Sequence, residues 1–206
     1  MTRILILPGF MGSGPGHWQR HWLSDHPGSQ LLEQEDWDRP HLHGWLTRLE
    51  SALEDQDDVI LVAHSLGCLL AANLAGRESA EKVRSALLVA PCHLDRTAEI
   101  HPNAIDFGSM PLKRLPFPSL VVSSLDDPYM GFDQSRHCAS VWGSNLINLG
   151  YAGHINIAAG FGRWVQGYHL GSLLQRKELT TRSGAASMIG SQRPFRGLVR
   201  ERRLLP

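Results

Sequence analysis

Three short motifs hold residues whose types and order could do covalent chemistry. Ser65 lies in A-H-S-L-G, Asp127 in D-D-P-Y and His154 in G-H-I-N. A serine hydroxyl is a weak nucleophile until a base takes its proton, and an imidazole does so best when a carboxylate holds it in one tautomer. Nucleophile, acid and histidine occur in that order along the chain, an order that allows attack on an acyl carbonyl. Asp126 is the competing acid. Asp127 is favoured because it precedes Pro128 and opens the segment that should turn toward the histidine, while Asp126 is expected to cap the turn.

The elements around these motifs must place them together. Val59 to Ala63 is an apolar, β-branched-rich run, as expected of a parallel strand buried on both faces, and helix formers follow from Leu66. A buried strand that turns sharply into a helix at Ser65 is a variant of the G-x-S-x-G elbow, with Ala63 in place of the first glycine. Such a turn lifts Ser65 Oγ above the sheet. The backbone N–H groups of Leu66, and of Phe10 after the first strand, are the expected oxyanion donors.

Further strands are predicted at 3–7, 30–33, 83–90, 120–124 and 145–149, and helices at 17–24, 41–53, 133–141 and 161–175. Alternation of this kind predicts a three-layer α/β/α sandwich with a mainly parallel sheet. Residues 91–118 contain five prolines and little periodicity, and are expected to form a loop over the active face. His154 is singled out among 11 histidines because it alone follows the last strand on a glycine-flanked loop.

Formal net charge is zero, which gives no argument for nucleic acid or a membrane as partner. The balance is uneven. Residues 176–206 carry eight basic and two acidic side chains, leaving the first 175 residues mildly acidic. One domain over 1–177 and a basic, disordered extension over 178–206 are expected. Cys68, Cys92 and Cys138 are few and widely spaced, which favours a reducing, cytoplasmic setting. The apolar start is broken by Pro8-Gly9 and reads as a first strand rather than a signal peptide.

Taken with P-G-F-x-G-S-x-x-x-H-W-Q at 8–19, D-W at 36–37 and V-A-P at 89–91, these motifs resemble the small serine hydrolases of the α/β-hydrolase superfamily typified by retinoblastoma-binding protein nine and YdeN. The resemblance spans residues 1 to about 175. It implies a capless fold, a Ser65–Asp127–His154 triad, and hydrolysis of esters or small amides without metal or organic cofactor. A small-molecule acyl substrate and a monomer or small homo-oligomer are expected. The L-x-C-x-E motif is absent, since Leu66 to Leu70 ends in leucine, so the retinoblastoma-pocket partner is not carried over.

Three rival readings have less behind them. A dinucleotide-binding domain would leave Ser65, Asp127 and His154 unexplained, and the Gly9, Gly12, Gly14 spacing is wrong for it. A metal site at His41 and His43 lacks the H-E-x-x-H pattern. A catalytically silent binding module on the same scaffold is the more serious rival, because fold alone does not imply function.

Overall fold

Strictly apolar strands need cover on both faces, and the helices supply it. The computed structural model describes residues 3–175. Its strands are β1 Ile4–Leu7, β2 Ser29–Leu31, β3 Val59–His64, β4 Val83–Val89, β5 Ser119–Ser123 and β6 Asn145–Asn148. They form one parallel sheet in the order β2-β1-β3-β4-β5-β6. The helices are α1 Trp18–Asp25, α2 Leu42–Glu54, α3 Leu66–Ala72, α4 Leu94–Ile100, α5 Phe132–Trp142 and α6 Val165–Gln175.

Alternating side chains divide the core into two layers. Ile4, Ile6, Ile60, Val62, Leu87 and Val89 pack with Trp18 and Trp22 of α1 and Leu174 of α6. Leu5, Leu7, Leu61, Ala63 and Leu88 face the other way, toward Leu49 of α2, Leu69 of α3 and Trp142 of α5. The expected three-layer sandwich is what forms, and its sheet is parallel throughout.

The chain runs from β1 to β2 on one side and then returns past β1 to β3 on the other. That reversal opens a crevice beyond the carboxyl ends of β1 and β3, where ligands of open parallel sheets bind.

Three expectations need correction or fall outside these residues. Residues 91–118 are not all loop, because α4 forms between Pro91 and Pro102 and buries Leu94 and Thr97, one turn apart, on the core side. The last helix starts at Val165 rather than 161: Gly160 takes the left-handed region at φ 85°, and the following residues deliver Trp164 edge-on to Trp18 at 5.6 Å. The basic extension over 178–206 lies outside the described residues.

Among the described residues no helix is long and apolar enough to cross a membrane.

Candidate active site

Ser65 stands between β3 and α3 with φ 53° and ψ −122°, a conformation rare for a residue with a side chain. Close packing holds it there. A methyl group at Gly9 would stand 2.7 Å from Ser65 Cβ, and one at Gly67 would collide with the carbonyl oxygens of Leu7 and Pro8. Only glycine lets the β1 loop and the start of α3 pass this closely.

His154 and Asp127 arrive on the loops after β6 and β5. His154 Nδ1 lies 2.9 Å from each oxygen of the Asp127 carboxylate, and Nε2 lies 2.9 Å from Ser65 Oγ. A carboxylate only accepts, so Nδ1 donates to Asp127 and the neutral ring leaves Nε2 to accept from the serine hydroxyl. The Asp127 and His154 side chains are buried, at 4% and 8% exposure, so solvent does little to screen the pair.

Asp126 is used differently. Its Oδ1 accepts from the Ser124 hydroxyl at 2.6 Å and from the Gly153 N–H at 2.8 Å, tying the β5 loop to the β6 loop. Those bonds, the Ser124 hydroxyl foremost, hold its carboxyl below the usual range. Asp127 also accepts from the Tyr129 N–H at 2.9 Å. Tyr129 in turn lays its ring 4.4 Å from that of His154.

The N–H of Leu66 opens α3, where no intrahelical acceptor exists. Neither it nor the N–H of Phe10 bonds a protein acceptor among the described residues. Both residues line a cleft of about 220 Å³ with Ser65 and His154.

Four further residues line the cleft with no role assigned from the sequence, although His17 lies in H-W-Q and His64 in A-H-S-L-G. Cys92 lines the cleft with Ser65, its thiol pushed up to about 11 by burial, so it remains a neutral wall group. His101 follows the unforeseen α4 and stacks on Tyr129 at 5.9 Å, with its Nε2 3.0 Å from the phenol oxygen. His17 and His64 line the same cleft and are both buried. The H-W-Q motif was the available pointer to His17, but nothing in it says which way the ring turns.

His41 lies 3.3 Å from Asp106, and its ring is 6.4 Å from that of His43. No cluster of three or more metal-ligating side chains occurs among the described residues.

Parallel sheet order, an elbow between β3 and α3, and loops after β5 and β6 that meet over it define an α/β-hydrolase fold. The serine hydrolase family matches residues 4–172, and the chain belongs to that family. A YdeN-like hydrolase from Pectobacterium atrosepticum is 31% identical, with 85% of this chain and 91% of that one covered at a TM-score of 0.72. The ydeN gene product of Bacillus subtilis is 21% identical over 85% of this chain and 99% of its own, at a TM-score of 0.68. A Bacillus cereus carboxylesterase shares the fold at 13% identity, covering 84% of this chain and 87% of that one, with a TM-score of 0.55. The curated proteins provide no match.

Proposed function

We propose that the protein hydrolyses small carboxylic esters through an acyl-enzyme on Ser65. The carrying observation is the line from Asp127 through His154 to Ser65, each link 2.9 Å long. His154 Nε2 takes the hydroxyl proton as Oγ bonds the acyl carbon, and Asp127 stabilises the imidazolium that results. The carbonyl oxygen gains charge where the N–H groups of Phe10 and Leu66 can meet it. As the tetrahedral adduct collapses, the ester C–O bond breaks and His154 returns its proton to the leaving oxygen. Water then attacks the acyl-serine, with His154 again as base, and releases the acid. No step needs a metal or an organic cofactor.

The cleft volume of about 220 Å³ supports a short acyl chain. A series of unbranched esters from acetate to decanoate tests this reading by pH-stat. Expected is turnover that peaks at four carbons or fewer and vanishes in Ser65→Ala. Folded wild type that turns over none of them would overturn it and favour a silent binding module.

A further inference from the structure

Two imidazoles outside the Asp127–His154–Ser65 line face the same cleft, and their tautomers can be read from their partners. His17 precedes α1, and its Nδ1 accepts the Gln19 N–H at 3.2 Å. The neutral ring must therefore carry its proton on Nε2. His64 bonds the His154 carbonyl oxygen through Nε2 at 2.9 Å. A carbonyl only accepts, so that nitrogen is the donor and His64 Nδ1 is left as an acceptor.

Neither His17 Nε2 nor His64 Nδ1 meets a protein partner among the described residues, and neither is among the polar atoms sealed off without one. Both rings line the cleft, edge to face, with centroids 5.0 Å apart. Burial, and then the neighbouring His154, lower His17 to about 4, and the same two causes hold His64 well below the ordinary imidazole range. Near neutral pH one wall therefore presents one fixed donor and one fixed acceptor.

The wall has a side. The His64 ring lies 4.9 Å from that of His154, and His154 is the neighbour that weighs against a charge on both imidazoles. In the ester-hydrolase reading, on which this inference rests, His154 returns its proton to the leaving oxygen. The pair thus flanks the alcohol rather than the acyl chain. The smallest group that accepts one hydrogen bond while donating another is a hydroxyl. An ether satisfies only the donor, and a hydrocarbon leaves both nitrogens unpaired, which a buried site penalises.

We propose that His17 and His64 bind a second hydroxyl on the leaving alcohol, so that the preferred substrates are monoesters of a diol or polyol.

The test compares kcat/KM for 2-hydroxyethyl, 2-methoxyethyl and propyl butyrate by pH-stat, in wild type and in His17→Asn. Asparagine keeps a side-chain oxygen where Nδ1 caps α1 and removes the Nε2 donor. Wild type is expected to favour the hydroxyethyl ester over the propyl ester by about tenfold or more, with the methoxyethyl ester between them. In His17→Asn the hydroxyethyl-to-propyl ratio is expected to fall to within roughly twofold of unity. Similar rates for all three esters in wild type overturn the inference while leaving the hydrolase reading intact, and that comparison needs no variant. A preference that survives His17→Asn also overturns it. Wild type that cleaves none of the three, and whose Ser65 takes no acyl-transfer probe, overturns both.

Discussion

The indole Nε1 of Trp18 donates a 2.9 Å hydrogen bond to the carbonyl oxygen of Ile155, the residue after His154. Ile155 has φ 47°, a left-handed backbone that a β-branched residue adopts only under constraint. The loop that carries His154 is therefore strained and is tied down at its strained point. The neighbours of Trp18 serve the same region. His17 lines the cleft, while the Gln19 amide donates to the carbonyl oxygens of Leu7 and Val62, at 3.1 and 3.0 Å, bridging the paired strands β1 and β3. One tripeptide thus contacts the cleft, the histidine loop and the strand ends.

Trp18→Phe keeps most of the ring and removes the N–H. The orphaned Ile155 carbonyl should cost about 1–2 kcal/mol, measured by urea unfolding. Loss of orientation at His154 should lower kcat for a short ester by about tenfold with KM little changed. Unchanged kcat would show that the loop holds its shape without this bond.

Asp127→Asn and Asp126→Asn separate the two carboxylates. An amide at 127 no longer enforces the tautomer with hydrogen on Nδ1, and kcat should drop by about 10³–10⁴. An amide oxygen at 126 still accepts from Ser124 and Gly153, so the loss there should stay within about tenfold. Equal losses would mean that both residues act by shaping the loops.

His17 gives stability a pH dependence with a definite sign. Its folded value of about 4 lies below the ordinary 6.5, so as pH falls the unfolded chain takes up the proton first. The contribution is complete above pH 6.5, declines as pH falls through about 4, and amounts to roughly 3 kcal/mol in all. Burial of His64 acts in the same direction. Urea midpoints measured from pH 4 to 8 should rise with pH, and the rise should be shallower in His17→Asn. Parallel curves for the two proteins would contradict this.

Gly67→Ala forces a methyl group onto two backbone carbonyls that cannot move aside. It should destabilise by about 3 kcal/mol, whereas Gly14→Ala, with nothing within 4 Å, should stay within about 1 kcal/mol of wild type. Thermal unfolding of the two variants side by side reads the difference.

The sheet was legible because buried parallel strands are continuous apolar runs, and Val59 to Val62 can hardly be anything else. The loops after β5 and β6 were legible as positions, since Asp127 and His154 lie four and six residues past the ends of those strands, at Ser123 and Asn148. What escaped was non-local or too short to show a period. Helix α4 buries Leu94 and Thr97, which is one repeat and no more. The Trp18 bond to Ile155 crosses 137 residues, and the Gln19 bond to Val62 crosses 43, so local pattern carries neither. The tautomers of His17 and His64 follow from partners that only the folded chain supplies.

The central claim is that the Asp127–His154 pair activates Ser65, and covalent labelling tests it most directly. Folded wild type should react stoichiometrically with a fluorophosphonate. Peptide mapping should place the adduct on Ser65, and both Ser65→Ala and His154→Ala should remain unlabelled. Folded wild type that takes no label, or label on a different residue, would contradict the account.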